Sequence, residues 1–252
     1  MEKITVYWQP GCSSCLRAKE FLTAQGIDFE SVNVREPNAP MEPLQRHGIA
    51  TVPIVMRGDA YVHGQDLDEL ARFVGVDPKR DKLAPEELIR RIGTVLAAAA
   101  RFVRQMPDAR LRTPLPGRDR SALDLAYHVG TVPLAFLDAV RGGEITFAHF
   151  ERRAPKGADA PSVARFLGDV AADVARWWPP AEIPESIKTY YGVQPFHGVL
   201  ERTAWHAAQH TRQLQQLLIA LVIAPNGPLR DADLAGLPLP AEVYDDQVKL
   251  TA

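Results

Sequence analysis

Strand-like alternation of apolar and polar residues runs as far as Val76 and then nearly vanishes, so the chain must join a strand-bearing part to a helical one. Before that point the elements are short. An apolar run from Ile4 to Trp8 precedes a helix-like stretch from Leu16 to Leu22. Gly26 to Val34 alternates as a strand entered from a helix-ending glycine. Glu42 to His47 reads as a short helix, Met56 to Val62 as a hairpin after the apolar Ile54-Val55, and Leu67 to Val74 as a helix. The expected order is β-α-β-α-β-β-α.

Beyond Val76 the periodicity is helical. Asp77 to Lys82 is a charged, proline-containing link, and Pro85 stands near the first position of a helix. Glu86 to Met106 repeats apolar residues at helical spacing, and Ser121 is placed to cap a second helix carrying Leu123, Tyr127 and Leu137. Pro161 to Trp178 reads as a third helix and Phe196 to Ile223 as a fourth. Four helices with long crossovers predict a four-helix bundle. Residues 107–117, 142–157 and 179–195 read as loops, the last long enough to suggest a role at a site. The tail after Pro225 is expected to cover the bundle or to move freely, with Tyr244-Asp245-Asp246 at the surface. The expected division is an α/β domain over residues 1–77, a linker over 78–84, and an all-α domain with its tail over 85–252.

A chain of 252 residues suits one or two domains, and 46% hydrophobic with 24% charged residues is ordinary for a soluble globular protein. A net charge of −2 and a pI of about 6.4 give no electrostatic case for nucleic acid or an anionic membrane. The longest apolar run, Leu217 to Ala224, is too short to span a bilayer, and the N-terminus enters a strand pattern without a signal-peptide layout. No nucleic-acid or membrane partner is expected; a homodimer through bundle faces is possible.

The chain has two cysteines, Cys12 and Cys15, in Gln9-Pro10-Gly11-Cys12-Ser13-Ser14-Cys15. A C-x-x-C between a strand and a helix reads as a dithiol redox site. Cys12 would open the helix, where unpaired N–H groups and the macrodipole favour a thiolate. Cys15, one turn on, could attack a mixed disulfide formed at Cys12. The competing readings are a structural disulfide, which stabilises little across so short a loop, and half a zinc site, which lacks a second cysteine pair. Two reactive-looking thiols and no others fit a reducing cytoplasm.

Three motifs in order, Cys12-Ser13-Ser14-Cys15, Thr51-Val52-Pro53 and His63-Gly64-Gln65-Asp66-Leu67, give residues 1–76 a form that resembles the thioredoxin fold, and within it the glutaredoxins and NrdH-type redoxins. The resemblance implies Cys12 as nucleophile, Cys15 as resolving thiol and Pro53 as a cis-proline facing them. It leaves the Val52 backbone free to bond an extended thiol peptide. It also implies that Gly64, Gln65 and Asp66 hold the γ-glutamyl end of glutathione, with Gln9 in place of a cationic contact. Glutathione, another low-molecular-weight thiol or a protein disulfide would be the co-substrate. Asp66 also reads as a helix N-cap.

His206 and His210 stand four apart in the last helical stretch, so they share a face and could direct ring nitrogens at one ion. Such pairs are also common as polar surface or satisfied core groups. His128 sits among apolar residues of the second stretch, where a buried imidazole needs a partner. One histidine in helix two and H-x-x-x-H in the last helix, followed by Arg212-Gln213-Leu214, resemble the DinB superfamily of four-helix bundles over residues 83–223. That family includes metal-dependent thiol S-transferases and thiol-dependent isomerases. The resemblance implies His128, His206 and His210 as ligands of a divalent metal, with zinc, nickel, iron and manganese all admissible. His197 and Glu201 read as supporting or surface groups. The expectation is a glutaredoxin-like thiol–disulfide oxidoreductase joined to a metal-dependent thiol transferase. The alternative is a redox sensor or thiol-presenting module without turnover.

Overall fold

Alternation in the first part of the chain produces a small central sheet. The computed structural model describes residues 2–78, 80–115 and 119–245; Lys79, Pro116, Gly117 and Asp246, named above in the linker, a loop and the tail, lie outside them. β1 (Ile4–Trp8), α1 (Ser13–Ala24), β2 (Phe29–Asn33), α2 (Glu42–Arg46), β3 (Ile54–Arg57), β4 (Ala60–His63) and α3 (Leu67–Val74) follow in the expected order. The sheet runs β2-β1-β3-β4, with β1 parallel to β2 and antiparallel to β3, and β3 antiparallel to β4. This is the thioredoxin-like α/β layout that the motif order implies.

Side chains on a strand alternate between faces, and here both faces are covered. Ile4, Val6, Val55 and Val62 cluster with Ala18 and Leu22 of α1 and Leu70 of α3. Tyr7, Val32, Ile54 and Met56 turn to the other side and meet Leu44 of α2. Each aliphatic side chain so buried contributes about 1.5–3 kcal/mol. Asp66 caps α3 by accepting the N–H groups of Asp68 and Glu69 at 2.8 and 3.1 Å. Gly75, at φ 80°, ends the helix in a conformation that glycine adopts without penalty.

The tail departs from expectation. From Pro240 the chain groups with the first unit, not with the helices. The Glu20 carboxylate on α1 accepts the Ala241 and Glu242 N–H groups at 2.6 and 3.0 Å. Asp245, expected at the surface, is buried and accepts the Gly11 N–H at 2.6 Å. Backbone donors outside regular structure need acceptors, and two carboxylates distant in sequence supply them.

The second unit runs from Asp81 to Leu239. It contains α4 (Pro85–Gln105), α5 (Asp108–Leu111), α6 (Ala122–Val140), α7 (Ala148–Glu151), α8 (Ala160–Trp177), β5 (Ser186–Thr189), β6 (Gly192–Pro195), α9 (Phe196–Ala220) and α10 (Asp231–Leu234). The long helices α4, α6, α8 and α9 pack together around a core that includes Leu96, Phe102, Leu125, Phe136 and Trp205. Capping boxes start two of them: Ser121 with Asp124 on α6, and Asp159 with Ser162 on α8. Gly130 lets α6 approach α8, since a Cβ there would lie 2.5 Å from the Phe166 ring. Two expected loops carry structure: residues 142–157 include α7, and residues 179–195 fold into the β5–β6 hairpin. α6 is long and apolar enough to cross a membrane, but 72% of its apolar window is buried inside the unit, as in a core helix.

Candidate active site

Two sites emerge, one in each unit. In the first, β1 ends at Trp8 and the chain turns through Gln9-Pro10-Gly11, with Gly11 at φ 72°. Cys12 then becomes the N-cap of α1. The Cys12 N–H donates to the Gln9 carbonyl at 3.3 Å, and the Cys15 N–H donates to Cys12 Sγ at 3.2 Å. Cys12 and Cys15 are joined as a disulfide. Their environments differ: Cys15 is fully buried, whereas Cys12 is half-buried. In the reduced chain the α1 N-terminus and the Cys15 amide favour negative charge on Cys12.

The Val52–Pro53 bond is cis, and the segment beyond β4 is tied to this loop. Gly64 N–H donates to the Pro53 carbonyl at 3.0 Å, and the Gln65 side-chain amide donates to the Val52 carbonyl at 3.2 Å. The buried Arg17 of α1 in turn donates to the Gln65 carbonyl at 2.6 Å. A Cβ on Gly64 would sit 3.0 Å from Pro53 Cγ and 3.2 Å from Ala18 Cβ, so the three segments meet where a side chain barely fits. Gln65 is buried, with its amide committed to the loop, and the Asp66 carboxylate caps α3. With the Gly64 N–H given to Pro53, the backbone N–H groups of Gln65 and Asp66 are what this segment can offer a ligand most directly.

Gln9 has a cationic neighbour after all. Arg35, just past β2, donates to Gln9 Oε1 at 3.0 Å, and Lys19 lies 3.9 Å above the Trp8 ring. Neither cation is visible in the local pattern around the cysteines. At the end of β4, burial pushes the His63 imidazole below its ordinary value, so it is neutral at pH 7. On α3, burial and the neighbouring Asp66 push the Glu69 carboxyl up.

In the second unit α6 and α9 bring His128, His206 and His210 together. All three are buried, at 3%, 8% and 3% exposure, and one ring nitrogen from each lies within 4.8 Å of the others. His206 Nε2 and His210 Nε2 are 2.9 Å apart. Gln213 Oε1 lies 2.8 Å from His210 Nδ1; as an acceptor it places the proton on Nδ1 and the neutral ring's lone pair on Nε2. The Thr131 hydroxyl donates to the His128 carbonyl at 3.0 Å and faces His128 Nδ1 at 3.3 Å, which sets that ring the same way. Such outer partners orient imidazoles that bind a cation.

Aromatic rings wall the cluster. Phe150 of α7 stacks on His206 at 5.9 Å and meets His128 edge-on at 6.0 Å, and Arg120 donates to the Phe150 carbonyl. Tyr190, between β5 and β6, lies 5.8 Å from Phe150. Arg202, one turn before His206, is 5.1 Å from the Phe150 ring. Phe150 and Tyr190 fall in segments read as loops, so only Arg202, at helical spacing from His206, had a sequence signal. His197 instead bonds the Leu83 carbonyl through Nε2 at 2.8 Å, and His149 lies beside Thr146.

Comparison with known proteins bears on the first unit. The glutaredoxin family profile matches residues 4–62. A Pseudomonas aeruginosa protein described as glutaredoxin is 32% identical over 79 residues, which cover 31% of this chain and 94% of that one. The chain belongs to the glutaredoxin family. The Gene 56 protein of Mycobacterium phage L5 is 58% identical over 31 residues, 12% of this chain and 30% of that protein. A crystal structure of a mutant thioredoxin-like protein matches with a TM-score of 0.28 and 28% identity, covering 31% of this chain and all of that one. The glutaredoxin match contains Cys12, Cys15, Val52 and Pro53; residues 83–223 lie beyond the matched profile.

Proposed function

We propose that the glutaredoxin-like unit is a thiol–disulfide oxidoreductase acting on disulfides of low-molecular-weight thiols, with Cys12 as nucleophile. The observation that carries this reading is the pairing of a half-buried Cys12 at the α1 N-cap with a fully buried Cys15. The Cys12 thiolate attacks one sulfur of a substrate disulfide; a Cys12–substrate bond forms, and the departing thiolate takes a proton. Cys15 then attacks Cys12 Sγ, expelling the second thiol and leaving the Cys12–Cys15 disulfide. Two molecules of glutathione, or of another small thiol, return two electrons and leave as their own disulfide. Gln65 and Asp66, held beside Pro53 by the Gly64 N–H, and Gln9 and Arg35 at the loop before Cys12 would supply N–H groups and charge for such a thiol.

For the second unit the proposal is a DinB-like four-helix bundle of α4, α6, α8 and α9 in which His128, His206 and His210 hold a divalent cation. Its support is the convergence of three buried imidazoles, with His210 Nδ1 meeting Gln213 and His128 Nδ1 facing Thr131. A cation held there would stabilise the thiolate of a small thiol and so promote its transfer to an electrophile. The bundle's residues place the rings, exclude water with Phe150 and Trp205, and set the tautomers. Elemental analysis of purified protein tests this: about one divalent metal per chain is expected, lost in His210→Ala, and metal-free wild-type protein that takes up no zinc on titration would defeat it.

A sensing role without turnover is the second reading. One observation favours it: the Asp245–Gly11 bond ties a segment 234 residues away to the loop before Cys12. Slow disulfide exchange, with a large change in tail protection on reduction, would shift the weight to sensing.

A further inference from the structure

We infer that Arg202 is the anion-binding residue of the histidine site, and that the molecule handled there carries a carboxylate. The inference rests on reading the histidines as a small-molecule site, and it names the chemical class.

Arg202 is 6% exposed, and its guanidinium is enclosed by rings. Phe150 and Tyr191 lie 5.1 and 5.2 Å from Cζ, Tyr190 lies at 6.0 Å, and one N–H donates to the Tyr190 hydroxyl at 3.2 Å. Nε has no hydrogen-bond partner, and among the described residues no carboxylate forms an ion pair with the group. Its neighbour Glu201 is about 100° round the helix, since α-helices turn 3.6 residues per turn. Arginine stays charged at any physiological pH and carries five N–H donors. A buried cation without a counter-ion is costly, and ring faces offset only part of that cost. The remaining donors form a planar fork, which matches a carboxylate.

The placement joins this fork to the histidines. Arg202 precedes His206 by one turn on α9, and both pack on Phe150. Tyr190 is half-buried, and beside it the exposed Phe147 ring lies 5.5 Å away, which puts the open edge of the aromatic wall next to the guanidinium. A molecule entering there would place its carboxylate on Arg202 and its remaining length toward the imidazoles. Small thiols and electrophiles that bear carboxylates fit; neutral ones lose the contact.

Calorimetry with succinate as probe and succinamide as neutral control tests this on the full chain, both metal-free and zinc-loaded. Wild-type protein should bind succinate saturably in both forms and succinamide at least about tenfold more weakly, the size expected for a charge-assisted hydrogen bond. Arg202→Met should lose succinate binding by about tenfold or more and keep the wild-type zinc content. Because it removes an uncompensated buried charge, it should also unfold at the same or a higher temperature, whereas a purely structural arginine would lower that temperature. Equal succinate affinity in wild type and Arg202→Met, or equal affinity for the two probes, overturns the inference. Arg202-dependent succinate binding without any zinc uptake would uphold it while defeating the metal reading. Zinc uptake without Arg202-dependent binding would do the reverse.

Discussion

The Asp245 carboxylate accepts the Gly11 N–H at 2.6 Å in a buried contact, one residue before the half-buried Cys12. A negative charge there opposes the thiolate that the α1 N-terminus favours, so the two effects compete at the same turn. Asp245→Asn keeps an acceptor and removes the charge. Reduced Asp245→Asn protein should therefore alkylate at Cys12 severalfold faster with iodoacetamide at pH 7 than wild type. An unchanged rate would show that the carboxylate acts only as a clasp.

A Cβ on Gly64 would press on Pro53 at 3.0 Å and Ala18 at 3.2 Å, so a neighbour must shift by a few tenths of an ångström to admit it. Gly64→Ala should push the cis-proline loop off α1, costing about 1–3 kcal/mol in denaturant unfolding. It should also raise KM for the thiol co-substrate more than it lowers kcat, because the thiol would lie across the same loop. A variant with wild-type stability and wild-type KM would show that the contact yields freely.

His63 gives the first unit a pH dependence with a definite sign. Burial holds its folded value below 6.5, so as pH falls from 7 the unfolded chain binds the proton first. Stability from this group is intact above the unfolded value and declines through the window between it and the lower folded value. His63→Gln should lose less stability than wild type between pH 7 and pH 5.5, read as the shift in urea midpoint. An equal or larger loss in the variant would contradict the assignment.

The α6 cap positions His128 one turn further on. Burial works to raise the Asp124 carboxyl, but hydrogen bonds from Ser121 and the Ala154 N–H, with Arg153 nearby, hold it below its ordinary value. Asp124→Ala should cost about 1–2 kcal/mol by thermal or chemical unfolding. Asp119→Ala, which removes an exposed partner of the same Arg153, should change nothing measurable.

The sequence carried the local features well. Cys12 and Cys15 between strand and helix, Pro53 before β3, and the alternation of Ile4, Val6 and Tyr7 all follow from short-range rules, and each has its expected place in the first unit. The four long helices were legible from periodicity and caps such as Ser121. The β5–β6 hairpin was not, because its strands are four residues each and mix Lys188, Gln194 and Pro195 into a pattern that reads as loop. Contacts made between residues far apart in the chain were equally hidden. Nothing near Asp245 points to Gly11, and nothing near Phe150 points to His206; only the fold joins them.

Glutathione-coupled reduction of bis(2-hydroxyethyl) disulfide by the full chain, compared with Cys12→Ser and Cys15→Ser, bears most directly on the role given to Cys12. Wild-type protein should turn over, Cys12→Ser should lose at least about a thousandfold, and Cys15→Ser should still form a mixed disulfide with the substrate thiol at Cys12. Turnover that survives in Cys12→Ser, or a mixed disulfide that forms at Cys15 instead, would contradict the assignment of Cys12 as the nucleophile.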